Sequence, residues 1–101
     1  MKKQKGCYRH MAKSLFSLKK ECWVCQNPHV DEHHIFGSVS DRPVSELLGF
    51  KVYLCRNHHQ ELHMHPNKGM DLTLKILAQK YYEENYGSRD DFRSTFRKSY
   101  L

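Results

Sequence analysis

The stretch Leu54-Cys-Arg-Asn-His-His59 combines cysteine and histidine at short spacing, a composition typical of metal-binding turns. Within it, Cys55 and His58 are separated by two residues, as are Cys22 and Cys25 earlier in the chain. Each such pair can place two ligands on one tetrahedral zinc ion, and the long segment between the pairs lets them meet. The sequence therefore predicts one closed structural zinc site, with the ligands Cys22, Cys25, Cys55 and His58.

This zinc site would contribute folding free energy to a chain of 101 residues, which has room for one domain with a modest core. Two alternatives remain open at this level. The cysteines could be buried free thiols, and Cys7-x2-His10 repeats the same spacing within the basic N-terminal segment. Disulfides are disfavoured, because no apolar signal-peptide core follows the basic first residues and we expect a reducing, cytoplasmic environment.

A second group of histidines consists of Asp31-Glu-His-His-Ile35 together with His59 and His63. Because His59 and His63 are four positions apart, a helix would place both imidazoles on one face, one turn from each other. His33 and His34 are neighbours on a predicted strand, where adjacent side chains point in opposite directions. One of the two can therefore bind a metal ion while the other does different chemistry. The alternative is that these are ordinary surface or core histidines.

Turn residues and apolar periodicity predict a chain of short strands and helices. Five elements are predicted before Pro66: a helix over Met11–Leu18, a strand over His29–Phe36, one helical turn over Ser45–Leu48, a strand over Phe50–Leu54, and a helix from Arg56 to His63 or His65. Gly49 stops the helical turn, and Pro66 stops the last helix. Beyond Pro66 we predict a helix capped by Asp71 and ended by Gly87, a capping box at Ser88–Asp91, and a last helix with Phe92, Phe96 and Tyr100 on one stripe.

The formal net charge of +6 favours a polyanionic partner, although a basic surface without a binding role gives the same total. No apolar run approaches the roughly 18 residues needed to cross a membrane. No long linker interrupts the sequence, so we expect a single domain over residues 1–101. The basic residues proposed for phosphate contacts are Arg56 first, and more weakly Lys19, Lys20, Arg93 and Arg97.

Glu32-His-His-Ile35 followed by Leu54-Cys-Arg-Asn-His-His59 resembles the signature of HNH endonucleases, whose fold is the ββα-metal (His-Me) finger. The resemblance covers residues 22–65. Less specifically, residues 71–101 are similar to the C-terminal part of small HNH proteins encoded by phages and prophages of Gram-positive bacteria. The resemblance implies an α+β fold, in which a zinc-stabilised ββα-metal core follows the basic segment 1–20 and precedes additional C-terminal helices.

The resemblance also implies a role for each histidine. His34 matches the general base that takes a proton from water, and His33, His59 and His63 match ligands of a divalent metal ion. His65 could replace His63 if the helix ended early. Three imidazoles suit Zn, Ni, Co or Mn, and Mg is the alternative, because relatives with an Asp ligand use it. The implied activity is metal-dependent hydrolysis of DNA phosphodiester bonds, one strand per site, so that a double-strand break would need a homodimer or two encounters.

One departure from the HNH pattern concerns the central asparagine. This residue usually lies shortly before the Leu-Cys pair and fixes the loop that orients the base, but here Phe50-Lys-Val-Tyr53 fills the stretch. Either another backbone or side-chain group orients His34, or the activity is weak. Two further functions remain open: a non-catalytic zinc-binding module that binds DNA, and an inactive structural subunit of a phage complex. The first of these would need the zinc site and the basic surface, but not His33, His34, His59 and His63.

Overall fold

The computed structural model describes residues 16, 17 and 19–101, and their fold is α+β, as predicted. The elements are, in order, β1 (Val30–His34), α1 (Arg42–Leu48), β2 (Lys51–Cys55), α2 (Arg56–Met64), α3 (Gly69–Asn85) and α4 (Arg89–Phe96). The chain divides within α2 into two compact units, an N-terminal unit that ends at His59 and a C-terminal unit that begins at Gln60. Most of the helix predicted over Met11–Leu18, and the pair Cys7 and His10, lie outside the described residues.

Strands β1 and β2 form an antiparallel sheet in which Val30 is opposite Cys55 and His34 is opposite Lys51. Both predicted strands are confirmed, with ends shifted by one or two residues. Strand β2 is almost wholly buried, and Val52 and Leu54 have no exposed surface. A two-stranded sheet is marginally stable alone, so this burial of apolar side chains is what holds it.

Helix α1 connects the two strands and is longer than the predicted single turn. It begins at Arg42 because Pro43 fits the first turn of a helix, and it ends as predicted at Gly49, whose φ of +79° favours glycine. The hydroxyl of Ser45, which is fully buried, accepts a hydrogen bond from the Phe36 backbone N–H and donates one to the Phe36 carbonyl. Ser45 therefore fixes α1 against the segment that follows β1.

Helix α3 begins at Gly69, with Lys68 as its N-cap, so the prediction that Asp71 caps this helix is wrong. Asp71 lies instead in the first turn, where its carboxylate accepts a hydrogen bond from the backbone N–H of Asn67, the residue before the N-cap. The helix ends at Asn85, two residues before the predicted stop at Gly87, and the backbone N–H groups of Tyr86 and Gly87 both donate to the Tyr82 carbonyl. No described helix combines the length and the apolar character that a bilayer crossing requires.

Helix α4 begins with the predicted capping box, in which the Ser88 and Asp91 side chains each accept the other's backbone N–H. Phe92 and Phe96 are buried and pack against Tyr82 of α3, as predicted for one stripe. The helix ends before Tyr100, because Arg97 adopts a left-handed conformation with φ of +67°. The last residues are held instead by the buried Gln79, whose amide oxygen accepts the Tyr100 N–H.

Candidate metal centres and the His34 site

The four predicted zinc ligands lie together in the N-terminal unit. Their ligand atoms are all within 4.8 Å of one another. The Cys25 and Cys55 sulfurs are 3.9 Å apart, and the His58 Nδ1 lies 3.2 Å from the Cys55 sulfur and 3.5 Å from that of Cys22. Tetrahedral zinc with Zn–S bonds of about 2.3 Å separates two sulfurs by about 3.8 Å. The spacing therefore fits a Cys3His zinc site and is far too long for a disulfide, consistent with the free thiols.

The turn that carries Cys22 and Cys25 has the backbone conformation that such a pair requires. The Gln26 N–H donates to the Cys22 carbonyl, and the Val24 N–H points at the Cys22 sulfur from 3.4 Å. Gln26 itself has a φ of +65° and closes the turn. The Trp23 N–H donates to the carbonyl of Tyr53 in β2, and this bond attaches the turn to the strand that leads into Cys55. A backbone hydrogen bond therefore joins the two halves of the site, the Cys22–Cys25 turn and the strand that ends at Cys55.

The thiols of this site differ in their electrostatic surroundings. Burial would raise the pKa of Cys22, but backbone N–H groups of Cys55, Cys25 and Val24 outweigh it and lower that pKa to about 6. The Asn27 backbone lowers the pKa of Cys25, whereas burial and the neighbouring thiols act together to raise it above its usual range. A thiolate at Cys22 is the form that binds zinc.

The second predicted ligand group consists of His33 on β1 and of His59 and His63 on α2. Their ring nitrogens lie within 4.8 Å of one another, close enough to share one ion. His63 follows His59 by one turn of the same continuous helix, so the helix itself sets that spacing. Because α2 extends to Met64, His63 lies within the helix, and the group includes it and not His65. His33 is only 6% exposed, so it is not one of the ordinary surface histidines.

Asp31 lies on the same face of β1 as His33, and its carboxylate is beside the His59 imidazole. Its carboxylate oxygen lies 3.5 Å from the His59 Nδ1 and accepts a 3.2 Å hydrogen bond from the Arg56 Nε. Burial raises the pKa of Asp31, but the hydrogen bonds from His59 and Arg56 outweigh it and hold that pKa below its usual value. An ionised carboxylate on Nδ1 would leave Nε2 for a metal ion and fix the ring's orientation.

The His34 side chain has a different set of neighbours from that of His33. Its Nε2 lies 2.6 Å from the Glu46 Oε1 on α1, and the other Glu46 oxygen lies 2.8 Å from the Lys51 ammonium. Lys51, almost fully buried, also lies 3.2 Å from the Glu32 carboxylate. Burial raises the pKa of Glu46, but Lys51 and His34 outweigh it and keep that pKa below its ordinary value. His34 thus faces an ionised carboxylate.

Comparison with protein-family models, with curated protein sequences and with solved structures finds no match to this chain.

Sequence reasoning missed Asp31, Glu46 and Lys51. A signal existed for Asp31, because residues two apart on a strand share a face and Asp31 precedes His33 by two. No local spacing points to Glu46, which comes from a separate helix. Arg56, the first candidate for a phosphate contact, is 75% exposed in its side chain, although its Nε binds Asp31. The weaker candidates Lys19, Lys20, Arg93 and Arg97 are also exposed.

Proposed function

We propose that this protein is a metal-dependent nuclease of the HNH type, which hydrolyses phosphodiester bonds of DNA and carries a separate structural zinc. The observation that carries the proposal is that two adjacent residues of β1, His33 and His34, have different neighbours. His33 belongs to a group of three imidazoles that can share an ion, whereas His34 is held by a carboxylate outside that group. The order of a metal ligand followed directly by the base, here His33 and His34, is the order that the HNH pattern implies.

The order of the elements supports this proposal. Two antiparallel strands are followed directly by helix α2, which is the order that a ββα-metal finger requires. Strand β2 and helix α2 share the Cys55–Arg56 junction, so the zinc ligands Cys55 and His58 and the histidine ligand His59 are positioned by one turn of chain. A closed zinc site at this junction would hold the first turn of α2, and with it His59, in a fixed position.

In this proposal His34 accepts a proton from the water that attacks phosphorus. Because an ionised Glu46 can only accept a hydrogen bond, the Nε2 atom of His34 carries the proton between them, and the lone pair of the neutral ring is on Nδ1. Nδ1 is then the atom that takes the proton from water. The imidazoles of His33, His59 and His63 would hold the divalent ion. When bound, that ion would supply positive charge for a phosphate oxygen and for the leaving 3′ oxygen.

The polyanionic substrate is supported by the net charge of +6 and by the exposed Arg56 on the first turn of α2. Arg56 precedes the ligand His59 by three residues on that helix, and both side chains lie beside the Asp31 carboxylate. A phosphate bound near the ion would therefore lie on the same side of the helix as its guanidinium. Contacts of this type hold the backbone without reading base sequence.

The proposal is tested by incubating purified protein with supercoiled plasmid in Mn²⁺, Ni²⁺, Co²⁺, Zn²⁺ or Mg²⁺. We expect nicked circles in at least one metal, full inhibition by a chelator added just before the assay, and ends that DNA ligase can reseal, because the implied products are 5′-phosphate and 3′-hydroxyl. Zinc-loaded protein that binds DNA but leaves it intact in every metal would contradict the nuclease and favour the non-catalytic binding module.

A further inference from the structure

We propose that Glu46 is the positioning residue of His34: it holds the imidazole by its Nε2–H and so presents Nδ1 as the proton acceptor. Glu46 would then do for this chain what the missing asparagine does in the HNH pattern. The catalytic meaning of this inference rests on the proposed nuclease function, but the hydrogen bond itself can be measured without any substrate.

The first support is the way the two oxygens of Glu46 are used. Oε1 lies 2.6 Å from the His34 Nε2, and Oε2 lies 2.8 Å from the Lys51 ammonium. A carboxylate held at both oxygens cannot rotate freely, so the direction of the bond to His34 is defined. The short distance is typical of a hydrogen bond to a charged group, which is stronger than a neutral one.

The second support is that the sheet and helix α1 fix both ends of this arrangement. Lys51 is directly opposite His34 across the two strands, so its ammonium approaches Glu46 from the same face as the imidazole. On the other side, the buried Ser45 hydroxyl binds both backbone groups of Phe36, two residues beyond His34. Because Ser45 directly precedes Glu46, these two hydrogen bonds set the distance between Glu46 and the end of β1.

The same residues could suggest a further metal site, since ligand atoms of Glu32, His34 and Glu46 lie within 4.8 Å of one another. Lys51 argues against this, because its ammonium lies 3.2 Å from the Glu32 carboxylate and 2.8 Å from that of Glu46. The positive charge that an ion would bring is therefore already supplied by a side chain that is 3% exposed. The group acts as a charged support for His34.

The hydrogen bond is tested by NMR of the ¹⁵N-labelled full-length protein at about pH 8, above the usual titration range of histidine. A His34→Gln variant assigns the signals of the ring. We expect the His34 Nε2 to carry the proton, and that proton to be visible because its exchange with water is slowed. In Glu46→Ala the proton signal should be lost to rapid exchange. In Glu46→Gln, which keeps an acceptor oxygen at the same length, it should persist.

The catalytic consequence is tested with the same variants under the metal conditions of the plasmid assay. Because misplacing a catalytic group by about 1 Å can cost about 10²-fold, we expect kcat of Glu46→Ala to fall by about 10²-fold with KM changed less than about twofold, and Glu46→Gln to recover about tenfold of that loss. Glu83→Gln is the matched control. It also removes a carboxylate charge from an ion pair, with Arg89 in the C-terminal unit, and should cleave at the wild-type rate.

The outcomes separate this inference from the proposed function. A proton on Nδ1 in the wild-type protein, or a protected Nε2–H that survives in Glu46→Ala, would overturn the role of Glu46. Equal losses of kcat in the Ala and Gln variants, with zinc content unchanged, would also overturn it, because the acceptor oxygen would then be irrelevant. A protected Nε2–H that depends on Glu46, in a protein that cleaves no DNA, would support the hydrogen bond and contradict the nuclease.

Discussion

The imidazole of His33 meets that of His59 edge-on, with 5.1 Å between the ring centroids and 70° between the ring planes. One ring comes from strand β1 and the other from the helix that follows β2. Two buried or half-buried imidazoles brought together from different elements are suited to a shared ion, since neutral rings carry one lone-pair nitrogen each. Together with His63 they form the group on which the proposed catalytic metal depends.

Removing one imidazole from this group should weaken metal binding more than it weakens folding. For His59→Ala we expect the dissociation constant of the catalytic metal to rise by at least about 10²-fold, since outer partners of a metal site alone are worth about 10–100-fold. Excess metal should partly restore cleavage. Calorimetric titration of zinc-loaded protein with Mn²⁺ or Ni²⁺ measures this.

The matched control for that titration is His65→Ala, which removes an exposed histidine outside the group. Its metal affinity should equal that of the wild type. Asp31→Asn should lie between the two variants, because it removes only the carboxylate beside the His59 Nδ1. Equal affinities for His59→Ala and His65→Ala would mean that the three imidazoles do not form a metal site.

The Cys3His site should hold one zinc per chain and stabilise the N-terminal unit. A structural zinc contributes about 10–16 kcal/mol of apparent binding free energy in zinc-finger peptides, so Cys22→Ser should lose the zinc and most of the cooperative unfolding of this unit. Elemental analysis and thermal unfolding followed by circular dichroism measure both effects. Cys7→Ser tests the alternative pair with the same spacing and should keep its zinc. An unchanged zinc content and melting temperature in Cys22→Ser would contradict the assignment.

Arg56 should contribute a phosphate contact that depends on charge alone. Arg56→Ala should weaken DNA binding to a similar degree for all sequences and reduce the slope of log affinity against log salt by about one. Arg56→Lys keeps the charge and should keep most of the slope. Fluorescence anisotropy with a labelled duplex over a range of salt concentrations measures it. If both variants kept the wild-type slope, Arg56 would not touch the backbone.

The ion pair between Glu83 and Arg89 makes a prediction about acid stability. Arg89 first, and then Gln79, lowers the pKa of Glu83 against the effect of burial. The folded pKa therefore lies below the unfolded value of about 4.3, so the stabilisation is complete above that pH and is lost as the pH falls through the folded pKa. Glu83→Gln should melt below the wild type at pH 7, by a small amount because the pair is near the surface.

The difference between these two proteins should shrink as the pH falls below the unfolded value of about 4.3 and through the lower folded pKa, because wild-type Glu83 becomes protonated over that range. Thermal unfolding of both proteins at several pH values measures it, and loss of zinc in acid affects both equally. A difference that stays constant from neutral to acid pH would show that the charge of Glu83 has no part in it.

The sequence predicted which cysteine and histidine side chains lie together better than it predicted the side chains that contact them. The spacing between Cys55 and His58, or between His59 and His63, depends only on the local turn or helix, so the pattern in the chain survives folding. Glu46 could not be found in this way. Its approach to His34 depends on the hydrogen bonds between Ser45 and the Phe36 backbone and on the pairing of Lys51 with His34 across the sheet. Glu46 lies on helix α1, and its two partners, His34 and Lys51, lie on two different strands.

Element boundaries were less predictable for a related reason. The pattern around Asp71 resembles a helix cap, yet α3 begins two residues earlier, at Gly69, and the Asp71 carboxylate satisfies the Asn67 N–H from inside the first turn. A carboxylate at the N-cap and a carboxylate within the first turn can each supply the acceptor that the start of a helix needs. Choosing between them depends on the conformation of the preceding turn, where Asn67 has a φ of +59°. Local composition does not specify that turn.

The most direct test of the nuclease account compares wild-type protein with His34→Ala for metal content, DNA affinity and cleavage rate. His34 belongs neither to the Cys3His site nor to the group of three imidazoles, so both metals should remain bound. DNA affinity should also be unchanged, because the phosphate contacts remain. Only the single-turnover cleavage rate should fall, by about 10²–10⁴-fold for a lost general base. A His34→Ala protein that cleaves DNA at the wild-type rate would contradict the account.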